Sequence, residues 1–255
     1  TDVYDVLIDA NNGGTNTFTG AFTVHSGGSY STNNRSPHNF EGGITNNGTF
    51  DITNGSAVVN FITNNQVIDG NATATINGTI TVASGISLTN RITEATTGLL
   101  INGYLNGADG TAQFINENIL SVGGQDGPMR TTGVFDASFA GNVVYYIREN
   151  TQYITPGTYH DLICISTGNR YRILEGTTTV NNDLQILGNI YFDPSGQDMN
   201  VTGHTTIDAL IYDRNIAGTV TLNTVDLSNG QITGNNTGVF IINGDLAMPT
   251  GGGIC

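Results

Sequence analysis

Five times the chain writes one short phrase, [Ile/Val]-Asn-x-x-[Leu/Ile]: INGTI at 76–80, INGYL at 101–105, INENI at 115–119, VNNDL at 180–184 and INGDL at 242–246. Around these copies lie short runs rich in Val, Ile, Thr, Tyr and Phe, such as VYDVLID at 3–9, TFDIT at 49–53, TITVA at 79–83, GNVVYYI at 141–147 and TVTLNTVDL at 219–227. They read as strands. No window of ten or more residues keeps a helical period free of Gly, Pro or β-branched interruption, so the fold class is all-β.

An all-β chain of this kind is either a sandwich or barrel of hairpins or a solenoid of stacked coils. Asn-Gly pairs are a strong hairpin signal. The spacing of the phrase favours the solenoid. Its copies are offset by 25 residues from 76 to 101, by 65 from 115 to 180 and by 62 from 180 to 242, the last two close to three coils of about 21. The 14-residue step from 101 to 115 does not fit this period. The expectation is a parallel β-solenoid, or β-helix, of about a dozen short coils with irregular corner loops, spanning roughly 55 Å. In it Ile76, Ile80, Ile101, Leu105, Ile115, Ile119, Val180, Leu184, Ile242 and Leu246 are core rungs, and Asn77, Asn102, Asn116, Asn181 and Asn243 mark corners. Corner asparagines can bond local backbone and stack on the next coil, while the following Gly, or Asn182 in its place, supplies a positive φ.

Charge narrows the partners. Seven basic residues, all Arg, face 21 acidic ones for a net charge of −14, which repels phosphate backbones and anionic lipid and excludes nucleic acid. No apolar run approaches the roughly 18 residues of a membrane helix, so no membrane insertion is expected. Two cysteines, Cys164 and Cys255, are too few for a disulfide framework and lack metal-ligand spacing. A chain that opens on Thr1 and closes on GGGIC reads as a 1–255 segment of something longer, with 1–128 and 129–255 as an alternative subdivision.

Catalysis has few candidates. A β-helix lyase or glycosidase needs clustered carboxylates with a basic partner, and the acids on offer are Asp193 and Asp198 in DPSGQD, Asp208 and Asp213 in DALIYD, and Asp161 beside His160. DPSGQD reads more simply as a turn, Asp208 and Asp213 have opposite strand parity, and His160 and His204 lack a nucleophile or zinc spacing. No catalytic, cofactor-binding or metal residue is expected, and no cofactor. Two surface features remain. Thr-x-Thr pairs at 15–19, 73–75, 79–81, 177–179 and 219–221 are one design for ordering ice, and Tyr30, Tyr104, Tyr145, Tyr146, Tyr153, Tyr159 and Tyr171 offer rings to a glycan, in a chain without Trp.

The run from 152, QYITPGTYHDLICISTGNRYRILEGTTTVNNDLQILGNIYFDPSGQDMNVTGHTTI, resembles the repeats of very large secreted surface proteins of Bacteroidetes. GAFTVHSGG at 20–28, FEGGITNNGTFDIT at 40–53 and TITVASGISLTN at 79–90 form a companion pattern. The sequence departs from that family in carrying Arg170 or Arg172 where Lys is usual and in lacking its C-terminal sorting module. What the resemblance implies is a non-enzymatic stalk in an extracellular, cell-surface adhesin or filament, exported by a type IX route and self-associating. An ice- or glycan-binding module on the same fold is the alternative.

Overall fold

A computed structural model describes residues 1–9, 14–213, 218–227, 229–234 and 238–248. Among these residues there is no helix, and the strands stack in parallel as a β-solenoid of about 11 turns. The chain divides into two compact units, Thr1–Asp136 and Ala137–Cys255.

In the first unit each of the first five coils contributes one strand to each of three faces, and the last coils lack a strand on the third. The first face stacks Asp2–Val3, Phe22–Val24, Ile44–Asn46, Gln66–Gly70, Ser87–Ile92, Gln113–Asn116 and Val134–Asp136. The second runs from Val6–Asp9 through Ser29–Thr32, Thr49–Ile52, Ala74–Ile76 and Leu99–Ile101 to Ile119–Val122. The third stacks Asn16–Phe18, Pro37–Phe40, Val58–Phe61, Thr79–Val82 and Leu105–Gly107. Strands of two to six residues suffice because a coil buries its apolar side chains against its neighbours above and below.

The strand period of two separates inside from outside. On the second face Tyr30, Phe50, Ala74, Leu99 and Leu120 form one inward column and Ile52, Ile76, Ile101 and Val122 another. The third contributes Val59, Ile80 and Leu105, beside Phe18, Phe40, Phe61 and Val82. Each fully buried side chain of this size contributes about 1.5–3 kcal/mol by leaving water. Aromatic residues fill the early coils: Phe40 stacks between Phe18 and Phe61, with ring centroids 5.0 and 5.7 Å away.

Coil offsets of 20 residues from Tyr30 to Phe50 and 26 from Asn90 to Asn116 are absorbed at the corners. Two of the repeated phrases fall on one such corner, between the second and third faces. There Gly78 lies against the carbonyl of Ala57, Gly103 against that of Gly78, and Gly124 against that of Gly103. A Cβ on Gly103 would sit 1.9 Å from the Gly78 oxygen. None of the three has a positive φ, and neither does Asn182. The expectation that these positions serve φ is therefore corrected: glycine follows asparagine here because backbone packs on backbone from coil to coil.

The second unit is built differently. Two long strands, Asp161–Leu174 and Leu184–Asp193, each serve two arms of a bent face. One arm continues through His204–Ile207, Thr224–Asp226 and Leu246–Ala247, the other through Leu210–Asp213 and Gln231–Gly234. A further sheet stacks Gly157–Tyr159, Thr178–Val180, Met199–Val201, Thr219–Leu222 and Val239–Ile242. Inward columns include Tyr146, Cys164, Ile186 and Ile207, and Gln152, Arg172, Phe192, Ile211 and Ile232.

Candidate functional site

Ile76, Ile80, Ile101 and Leu105 are buried, with Ile76 paired to Ile101 and Ile80 to Leu105 one coil away. Val180 and Leu184 are buried too, and the column from Val180 passes through Val201 and Leu222 to Ile242, which spans the 62-residue offset in three coils. Ile242 and Leu246 continue inward columns in the last described coil and are half-buried. The third copy of the phrase is out of phase. Ile115 and Ile119 are half-buried on the outward parity, while Phe114, Asn116 and Leu120 point inward and are fully enclosed. Assigning Ile115 and Ile119 to the core is thus corrected: INENI turns the corner from first face to second, where the inside position is the Asn. This also accounts for the anomalous 14-residue step.

Asparagines do several jobs at corners. Asn102 donates to the Asn77 Oδ1 at 2.7 Å, and Asn77 to the Thr53 carbonyl at 3.1 Å, a ladder along the outer edge. Asn116 accepts from buried Asn90 at 2.8 Å and donates to the Asn118 carbonyl at 2.7 Å, inside the turn. Asn181 and Asn243 are exposed, and their backbone amides donate to the Tyr159 and Leu222 carbonyls.

The most perturbed ionisable groups tie the backbone together. The hydroxyl of Thr96 and the backbone amides of Gly98, Thr97 and Thr96 hold Glu94 down to about 2. Hydroxyls of Ser84 and Thr111 lower Asp109 to about 2. Glu149 is lowered by the Ser166 and Thr167 hydroxyls, at 2.8 and 3.0 Å, and also accepts from the Gly168 amide. Arg172 is wholly enclosed; its guanidinium donates to the carbonyls of Asn150 at 3.0 Å, Ile165 at 3.1 Å and Arg148, and burial lowers its pKa. Burial likewise raises Tyr146 and Tyr159, whose hydroxyls meet at 3.0 Å, and pushes the Cys164 thiol up to about 12. A thiol so raised is a packing group rather than a nucleophile. Cys255 lies outside the described residues.

The acids singled out from sequence do not converge on one site. Asp193 is buried and caps its own turn, accepting from the Ser195 amide at 2.9 Å, while exposed Asp198 accepts from Thr219 at 2.8 Å. Asp161 lies 3.3 Å from His160 and accepts from Asn182 and the Asp183 amide, and His204 is exposed. The side chain of Asp213 is outside the described set. Among the described residues no three of His, Cys, Asp and Glu are grouped to hold a metal ion.

Two outward features could meet a partner. On the third face of the first unit Thr17, Asn39, Asn60, Thr81 and Asn106 share one outward column, and Asn60 bonds Asn39 at 2.9 Å. Of the Thr-x-Thr pairs, 177–179 and 219–221 lie two coils apart on one sheet, with Asn200 between Thr179 and Thr221. Of the seven tyrosines singled out from the sequence, Tyr30, Tyr146 and Tyr159 are buried, Tyr145, Tyr153 and Tyr171 are half-buried and Tyr104 is exposed. The second feature, unforeseen from sequence, is a groove of about 400 Å³ in the second unit, at the bend of the two-armed face. Asn169, Asn189, Tyr191, Asp208, Asn229 and Gln231 are among the side chains lining it. No protein-family model matches the chain, and neither a curated protein nor a solved structure does.

Proposed function

We propose that this chain is a non-enzymatic structural segment of an extracellular bacterial adhesin or surface filament, acting as a stiff spacer. The observation that carries the reading is the use to which its chemistry is put. Glu94, Asp109, Glu149, Arg172 and the Tyr146–Tyr159 pair are spent on backbone and neighbouring coils, so the polar inventory reinforces the stack. The resemblance of residues 152–207 to Bacteroidetes surface repeats supports the location and a type IX route. Side-by-side self-association would use the third face of the first unit. Its central outward column is Thr and Asn alone, a surface on which molecules of net charge −14 can approach with least repulsion.

Single-molecule pulling from the two ends tests the spacer. A stack held coil by coil yields in discrete steps, each releasing roughly 20 residues, or about 70 Å of extended chain. Smooth extension at low force, or measurable depolymerisation of acidic polysaccharides by the purified protein, would overturn the proposal. The second reading, an ice-binding face, rests on the same Thr/Asn column, and ice-crystal shaping at micromolar protein would favour it.

A further inference from the structure

The groove in the second unit goes beyond a spacer's needs. It exists because the strand Asp161–Leu174 carries two more residues than Leu184–Asp193 at the bend: Ser166 pairs with Gly188, and the pairing resumes only at Arg170 with Ile190. The excess is held by the Glu149 carboxylate, which accepts from Ser166, Thr167 and Gly168. Gly188 permits the same bend in the next coil, with φ +76° and a Cβ position 2.3 Å from the Ser166 carbonyl oxygen. One wall is then the outward column Tyr191, Leu210 and Gln231, and the Tyr191 ring is backed along the same column by Tyr171, 5.1 Å away and tilted 31°. Along the bend run Asn169, Asn189, Asp208 and Asn229, one from each successive coil. Asn189 is oriented by donating its Nδ2 to the Thr167 carbonyl at 3.1 Å.

We propose that this groove binds a neutral oligosaccharide lying parallel to the stack. Its volume falls in the range of roughly 300–1,000 Å³ typical of small-molecule sites. A tyrosine face suits the apolar face of a sugar ring, and planar amides repeated at about 4.8 Å, the coil spacing, suit hydroxyls repeated along a linear glycan. Among the described residues the one carboxyl side chain in the lining is Asp208 and no Lys, Arg or His accompanies it, so uronic acids and sulfated sugars are repelled. A peptide adding as a strand is disfavoured along most of the groove, because Asp161–Leu174, Leu184–Asp193 and Leu210–Asp213 are each already paired on both sides within the sheet.

Calorimetric titration with cellotetraose, xylotetraose and mannotetraose, against tetragalacturonate as the acidic counterpart, tests this on the whole chain. The expected result is saturable binding of at least one neutral tetrasaccharide, weakened about tenfold by Tyr191→Ala and largely kept by Tyr191→Phe. Asp208→Asn should keep the neutral ligand and raise affinity for tetragalacturonate. Circular dichroism and a melting curve on each variant establish that it is folded. No binding of any neutral tetrasaccharide at millimolar ligand overturns the proposal. So does binding that a folded Tyr191→Ala leaves unchanged, or a preference for tetragalacturonate in the unaltered protein.

Discussion

Replacing Phe40 by Ala removes the middle ring of an aromatic column. Phe40 is fully buried, stacks on Phe18 at an interplanar angle of 18° and on Phe61 at 23°, and meets Phe22 edge-on with centroids 5.6 Å apart. A buried Phe→Ala change costs about 3–5 kcal/mol, and aromatic pairs contribute about 0.5–1.5 kcal/mol each beyond buried area, so four lost pairs, the fourth with Phe50 at 6.1 Å, place this variant near the top of that range. Phe40→Leu retains most of the volume but not the ring geometry and should cost about 1–2 kcal/mol. Because coils contact chiefly their neighbours, the damage should be graded. Hydrogen exchange should rise first in Asn16–Phe18 and Val58–Phe61, which pair with the altered strand, and last in Leu105–Gly107. Urea unfolding followed by far-UV circular dichroism gives the total, and exchange read by mass spectrometry gives its distribution. A cost below about 1 kcal/mol, or protection lost evenly over the unit, would refute both the packing assignment and the coil-by-coil cohesion.

Other changes separate inside from edge. Leu105→Ala should cost about 2–5 kcal/mol, whereas Asn102→Ala, which loses one exposed bond to Asn77, should cost about 0.5–1.5 kcal/mol; equal costs in denaturant titrations would contradict the assignment. Glu94, held at about 2 when folded against an ordinary value near 4.3, contributes stability in full above pH ~4.3 and loses it as pH falls towards 2. Melting curves from pH 7 to 2 should therefore show the gap between the unaltered protein and Glu94→Gln closing over that window; a gap independent of pH contradicts the clamp.

What the sequence made legible was whatever repeats in phase. The 25-residue step from Ile76 to Ile101 and the 62-residue span from Val180 to Ile242 are true coil offsets, since each pair ends a strand on one face. INENI misled because two kinds of corner accept the same letters with opposite parity, and only the neighbouring strands decide whether Asn116 or Ile115 is inside. The clamps left a faint local signal, an acid followed two residues later by Thr in EATTG and DGT. Glu149 and Arg172 left none, because the partners of Glu149 and the Arg148 and Asn150 carbonyls that Arg172 reaches lie 17 to 24 residues away along the chain. The groove was hidden for the same reason: it follows from a length mismatch between strands of adjacent coils, which becomes a bend only once the two are in register.

The burial of Arg172 bears on how such a chain meets proteases. With no lysine, trypsin-like enzymes can cut only after its seven arginines, and they must first take the guanidinium into their own pocket. At Arg172 that group is enclosed in mid-strand and bonded to the carbonyls of Arg148 and Asn150 from an earlier stretch of the chain and of Ile165 and Tyr171 in its own strand, so the bond beyond it is presented only when the coil opens. Cleavage after Arg172 would thus report local opening of this part of the stack, a natural gauge that needs no added label.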